Sequence, residues 1–134
     1  MSGKDTNYRS VFAILLKRKA ALKVMTFKGE PRGALPQSVQ WDGKYLAVTE
    51  PDSIVQFALS GRTGEAQGQT SLTGADFVSA SWITPALGSV VVANTNPEEV
   101  AYYNYPAGGS PTAKISFQSY QELGGVAVSL APRR

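Results

Sequence analysis

Three short strand-like stretches of this chain recur at one interval: Met25-Thr26-Phe27, Thr70-Ser71-Leu72 and Ile115-Ser116-Phe117 follow one another at steps of 45 residues. A period of that length built from strands constrains the architecture, because one small sheet cannot bury its apolar face alone and must stack against the next. Blades or a solenoid are therefore expected. Hydrophobic residues at 43%, charged residues at 17%, 13 Gly and 8 Pro suit short strands joined by turns better than helices or disorder. The chain reads as all-β.

The clearest unit covers residues 34–74. Val39 and Trp41 alternate with polar Ser38 and Gln40, Asp42-Gly43 marks a tight turn, and residues 44–49 resume as a second strand, a strong hairpin pattern. Residues 53–59 give a third strand, 60–64 a loop, and 67–73 a short polar strand fit for a sheet edge. Residues 75–119 repeat this order. Residues 77–82 match the first strand, with Trp82 standing 41 residues after Trp41, and residues 89–93 match the second at 44. Residues 100–105 match the third at 46, and residues 112–117 the fourth. Residues 1–33 then hold the last two strands of a first blade (10–16 and 22–27), and residues 120–134 the start of a fourth, with its strand over 124–130. A helix over residues 9–25 competes with the first-blade strands, since Phe12, Leu15, Leu16, Ala20 and Leu22 can share one face.

The segments Gly43-Lys-Tyr-Leu-Ala-Val-Thr-Glu50 through Ile54-Val-Gln-Phe57, and Gly88-Ser-Val-Val-Val-Ala-Asn94 through Val100-Ala-Tyr-Tyr103, resemble NHL-type and related YVTN-type bacterial β-propeller repeats. So do Tyr105-Pro-Ala-Gly-Gly-Ser-Pro-Thr112 and Gly125-Val-Ala-Val-Ser129. The resemblance implies an incomplete β-propeller of antiparallel four-stranded blades. A closed ring needs at least four blades of about 40–45 residues, and this chain supplies about three. It is then a fragment of a longer protein or it assembles with copies of itself, since open blade faces favour self-association.

Chemistry is constrained mainly by what is missing. The chain has no His and no Cys, which removes Ser-His-Asp and Cys-His catalysis, His-ligated metals and disulfides. No phosphate loop, zinc spacing or nucleophile elbow is present. The formal charge of +3 comes from the termini, whereas residues 33–132 carry Lys44, Arg62 and Lys114 against eight acidic residues. A nucleic-acid-binding face is not expected from that distribution. Lys17-Arg18-Lys19 with Lys23 is the one dense basic patch, read as a solvated loop rather than a membrane or nucleic-acid contact. The longest N-terminal apolar run, residues 11–16, is shorter than a signal peptide wants, and no segment reaches membrane-spanning length. The compartment stays open.

Four residues are candidates for ligand binding: Glu50, Asp52, Asn94 and Tyr103. Glu50 and Asn94 occupy matching positions at the end of the second strand of successive units. The likeness to lactonase-type propellers implies a calcium site there as an alternative, but calcium wants six to eight oxygens and turn chemistry explains both residues. No resident cofactor, metal or catalytic residue is assigned. Glu98 and Glu99 are adjacent, so a strand turns them to opposite faces and a solvated junction is expected rather than an acid–base pair. Trp41, Trp82, Tyr102, Tyr103 and Tyr105 offer rings for a sugar or peptide, or for packing between sheets. Tyr102 should face opposite to Tyr103 and Tyr105. The expectation is a non-enzymatic binding module taking a protein or small ligand on the rim formed by Asp42-Gly43, Glu50–Asp52 and Asn94–Glu98, with a lactonase-like or lyase-like enzyme fragment as the alternative.

Overall fold

The computed structural model describes residues 9–11, 25–31, 33–117 and 123–131. Ten strands run through them: β1 (Arg9–Val11), β2 (Met25–Lys28), β3 (Ser38–Trp41), β4 (Leu46–Thr49), β5 (Ser53–Ser60), β6 (Thr63–Ser71), β7 (Val78–Thr84), β8 (Ser89–Thr95), β9 (Glu98–Asn104) and β10 (Ala113–Ser116). One turn of 3₁₀ helix, Pro85–Leu87, links β7 to β8. The chain is all-β, in a six-stranded sheet ordered β1-β2-β6-β5-β4-β3 and a four-stranded sheet ordered β10-β9-β8-β7.

Each unit is an antiparallel meander, and the two meanders agree rung by rung. Trp41 pairs with Leu46 and Ile83 with Val90; Val48 pairs with Val55 and Val92 with Ala101; Ile54 pairs with Thr70 and Val100 with Ile115. The steps from first to second sheet are thus 42 residues for β3 to β7, 44 for β4 to β8, 46 for β5 to β9 and 45 for β6 to β10. Turn bonds repeat at the same steps. The Leu72 amide donates to the Asp52 carbonyl at 3.0 Å, and the Phe117 amide to the Glu98 carbonyl at 3.0 Å.

This register corrects the pairing of the two tryptophans. Trp41 corresponds to Ile83, and Trp82 corresponds to Gln40. A shift of one residue in a strand moves a side chain to the opposite face, so Trp41 and Trp82 lie on opposite faces of their sheets. The first strands are 42 residues apart, and a count made from the tryptophans alone falls one short.

The sheets stack in the same sense. Ala47 and Ile54 on one face of the first sheet pack with Ile83, Val90, Val92, Ala101 and Tyr103 of the second. Those second-sheet residues correspond to Trp41, Leu46, Val48, Val55 and Phe57, which lie on the far face of the first sheet. β5 is buried on both faces from Ser53 to Phe57, because the second sheet covers one side and the chain's start covers the other. On that far side Met25 and Phe27 pack with Leu46, Val48, Val55 and Phe57, the Phe27 and Phe57 rings meeting edge to face at 5.0 Å.

The inner strands are also joined by polar groups. The Gln40 amide donates from Nε2 to the Ile83 carbonyl at 2.7 Å and accepts at Oε1 from the Ile83 amide at 2.7 Å. It thereby supplies an edge strand with both bonds that a neighbouring strand would give. Ser81 Oγ lies 3.2 Å from Ser38 Oγ and 2.6 Å from Thr49 Oγ1.

Four boundary expectations change. The loop over 60–64 is a two-residue turn at Gly61-Arg62, and β6 starts at Thr63. β1 and β2 do form an antiparallel pair, yet they are not a separate first blade: β2 runs parallel to β6, pairing Thr26 with Thr63, Phe27 with Gly64 and Lys28 with Glu65. The lengthened β6 offers an open edge there, and Gly64 leaves room for the Phe27 ring, since a Cβ would sit 2.5 Å from Phe27 Cδ1. A helix over 9–25 is ruled out at its described ends, which are strand, while residues 12–24 lie outside the described residues, as do Lys17, Arg18, Lys19 and Lys23. The strand expected over 124–130 is absent; residues 123–131 make no sheet pairing, and Leu123 is fastened to β7 through its carbonyl, which accepts from the Ser79 hydroxyl.

Candidate functional site

Where the two sheets meet at the β3–β4 hairpin, a cleft of about 450 Å³ opens between Asp42, Lys44 and Tyr45 of the hairpin, Gln56 of β5, Gln67, Gly68 and Gln69 of β6, and Pro85, Tyr105 and Pro106 of the second unit. Asp42 anchors it. Its Oδ1 accepts the amides of Lys44 (2.8 Å) and Tyr45 (2.6 Å), an Asx turn that closes the hairpin, and its Oδ2 accepts the Tyr105 hydroxyl at 2.5 Å. Burial favours the protonated carboxyl. The bonds from Tyr105, Tyr45 and Lys44 and the Lys44 charge outweigh it and hold Asp42 below its ordinary pKa of 3.8. Burial, then the bond donated to Asp42 and its charge, push the Tyr105 phenol far up, against a smaller opposing pull from Gln56.

Behind this pair lies a closed polar chain. Gln56, buried in β5, bonds to the Tyr105 hydroxyl and donates to Thr70 Oγ1 at 2.6 Å, and Thr70 donates in turn to the Pro106 carbonyl at 2.8 Å. Buried polar groups that all find partners give a rigid arrangement. The loop carrying Tyr105 and Pro106 sits close against β6: Gly108 has φ 71°, and a Cβ there would meet the Ser71 carbonyl oxygen at 2.5 Å. Gly68 keeps the cleft open beside Gln56, since a Cβ would lie 3.1 Å from Gln56 Oε1. Lys44 Nζ stands 4.9 Å from the centre of the Tyr45 ring.

The cleft holds an ionised carboxylate, amide side chains and ring surfaces. Among the described residues no group of three or more acidic side chains converges. Asp42 faces a phenol that stays protonated and gives its one proton to the carboxylate, so the pair presents acceptor lone pairs at fixed positions.

The residues expected from sequence fall elsewhere. Glu50 and Asn94 are buried and hold the entry of their own sheets: Glu50 Oε2 accepts the Leu35 amide at 2.5 Å and Asn94 Oδ1 accepts the Phe77 amide at 3.0 Å. Leu35 and Phe77 are 42 residues apart and Glu50 and Asn94 are 44, the same steps as the strands. One latch is therefore used twice. Glu50 and the exposed Asp52 share a second depression of about 380 Å³ with Pro31, Gln69 and Asp76, and Asn94 and Tyr103 do not join it. Tyr103 lies in the core between the sheets, its hydroxyl donating to the Thr73 carbonyl at 3.1 Å, so its ring is not a surface platform. Its phenol is raised by burial and by the Glu99 charge.

The single rim expected from Asp42-Gly43, Glu50–Asp52 and Asn94–Glu98 is corrected by strand direction. β4 separates Asp42-Gly43 from Glu50–Asp52, which puts them at opposite ends of the sheet. The two tyrosine faces are as expected, Tyr103 and Tyr105 inward and Tyr102 outward. Glu98 and Glu99 do turn to opposite faces, but Glu99 is buried rather than solvated, 3.6 Å from Lys114. Sequence reasoning missed Asp42 as an anchor, and Gln56 and Tyr105 as its support. One signal was present: Gln56 interrupts the apolar run Ile54-Val55-Gln56-Phe57, and a polar residue in a strand buried on both faces needs a partner.

Compared with protein-family models and with curated proteins, the chain matches none.

Proposed function

We propose that this protein is a non-enzymatic binding module made of successive propeller-type blades of NHL-like kind, which takes a neutral hydrogen-bonding ligand in the cleft at the β3–β4 hairpin. The observation that carries the reading is the Asp42–Tyr105 pair, backed by Gln56 and Thr70. It is a polar floor whose members are satisfied by one another and that opens on ring, proline and amide walls. Repetition of the meander at matching register supports the blade reading, because the same strand order and equivalent rungs recur at steps of 42 to 46 residues.

The ligand is expected to stack on the Tyr45 ring and to bond with Gln67, Gln69 and Asp42, the combination by which hydroxyl-rich or amide-rich molecules are held. Protein-observed NMR with a panel of neutral oligosaccharides and uncharged peptides tests it. Shift changes confined to Asp42, Tyr45, Gln67 and Gln69, and lost in Tyr45→Ala, are the expected result. Absence of any response at these residues across both panels would refute the assignment.

A further inference from the structure

The outer edge of β6 is covered at both ends and bare between them. β2 runs parallel to it from Thr63 to Glu65, and Gly29 then lies so close that a Cβ there would sit 2.9 Å from Ala66 Cβ. At the other end Gly109 forms a parallel bridge with Leu72, its amide donating to the Ser71 carbonyl at 2.9 Å and its carbonyl accepting the Thr73 amide at 3.0 Å. Gln67, Gly68 and Gln69 between these two segments are exposed. Three residues of strand leave a gap of about 10 Å. The backbone direction within it follows from its neighbours. The Ser71 carbonyl points outward to Gly109, while the Leu72 amide points inward to the Asp52 carbonyl. Alternation along the β5–β6 ladder, where Ser53 faces Ser71 and Val55 faces Gln69, therefore turns the Gln69 amide and carbonyl outward as well. Among the described residues neither group has a partner. Gln69 also lines both depressions, the cleft with Gln56 and Gly68 on one face of the sheet and the one with Ser53 on the other.

We propose that the gap takes an extended peptide segment of a partner as an added strand, its main chain bonding to Gln69 and its alternate side chains entering the two depressions. This rests on the cleft proposed above as the binding site and narrows its ligand to a peptide, because a main chain carries a donor and an acceptor at strand pitch, as the bare edge does. β2 and Gly109 stand one strand deep on either side of the gap, so the edge of a second copy's sheet is kept out and a free segment is admitted. Both depressions carry carboxylates, Asp42 in one and Glu50, Asp52 and Asp76 in the other. Side chains that donate hydrogen bonds, the hydroxyls of Ser and Thr and the amides of Asn and Gln, suit either.

Amide NMR of the full chain with capped pentapeptides built from Asn, Gln, Ser and Thr tests the proposal. The expected result is a downfield shift and slowed solvent exchange of the Gln69 amide proton, both lost in Gln69→Pro, which removes the outward N–H without touching the β5 ladder. Circular dichroism checks that this variant folds. If it does not, the same peptides methylated at every backbone nitrogen decide on the wild-type protein, where the response should vanish. Peptides that shift Asp42 and Tyr45 but leave the Gln69 amide unmoved, or that act equally well when methylated, overturn the added strand and leave the cleft standing. A response to oligosaccharides alone does the same. Silence at the cleft toward both classes of ligand removes the cleft and the added strand together.

Discussion

Replacing Gln40 by Ala removes both bonds between Gln40 and the Ile83 backbone at one stroke and leaves the Ser81 hydroxyl contacts in place. The Ile83 amide and carbonyl lose partners at 2.7 Å each, and Ile83 itself is buried. A net hydrogen bond contributes about 0.5–1.5 kcal/mol, and a buried group left unsatisfied costs about 1–3 kcal/mol. Gln40 is only half-buried, so water can replace part of what is lost and the sum comes to about 2 kcal/mol. With a urea m-value of about 2 kcal/mol/M, the midpoint should fall by about 1 M at unchanged m. Gln37→Ala is the control, because the Gln37 side chain donates to the Leu35 carbonyl on its own segment, its backbone bond to Thr49 is kept, and the change should cost under about 0.5 kcal/mol. Gln40→Glu keeps the acceptor and loses the donor, setting a carboxylate against the Ile83 carbonyl, and should be at least as destabilising as Ala. If Gln40→Ala shifts stability by less than about 0.5 kcal/mol, the two inner strands are not joined as described and the reasoning fails.

Gly64→Ala should destabilise by about 1–3 kcal/mol in thermal or urea melts, since the new methyl collides with a Phe27 ring that is itself fully buried; wild-type stability would mean that β2 does not lie over β6. Acid should weaken the fold as pH drops from 3.8 through the lower folded pKa of Asp42, because the unfolded carboxyl takes up its proton first, and Asp42→Asn should flatten that limb of the melting-temperature profile. At alkaline pH the sign reverses: the unfolded phenols of Tyr105 and Tyr103 ionise near 10 while the folded ones stay protonated, so stability declines above 10, less so in Tyr105→Phe. Calcium at about 5 mM should leave the melting temperature unchanged, since a ligand held only by the native state would raise it; a rise of several degrees would revive the oxygen-ligand reading of Glu50 and Asn94.

Much of the fold was legible because strand patterns are local. The Asp42-Gly43 hairpin, the order of the two units and the facing of Tyr102 against Tyr103 all follow from alternation and turn residues that a few neighbours determine. What resisted reading depends on contacts distant in sequence. The parallel docking of β2 on β6 brings Phe27 to Gly64, and nothing in either segment announces the other. The tryptophans misled because they are conspicuous, while register is set by the quieter pairs Leu46 with Trp41 and Val90 with Ile83. The site was missed for a related reason. Asp42 was read as a turn residue, which it is, but its second carboxylate oxygen is committed to Tyr105, 63 residues away. Glu50 and Asn94 were rightly seen as equivalent. Their equivalence serves the backbone of each sheet, Glu50 holding the Leu35 amide and Asn94 the Phe77 amide.

The stacking of the two units is tested most directly by a covalent bond across it. Ser38 and Ser81 bring their hydroxyl oxygens within 3.2 Å, and the chain has no cysteine of its own, so Ser38→Cys with Ser81→Cys reports on this contact alone. Mild oxidation should yield an intramolecular disulfide, seen as a mass loss of two hydrogens in a non-reducing digest, and stabilise the protein by up to about 4 kcal/mol through the closed loop. A double variant that stays reduced, or that forms disulfides only between chains, would show that β3 and β7 do not lie side by side.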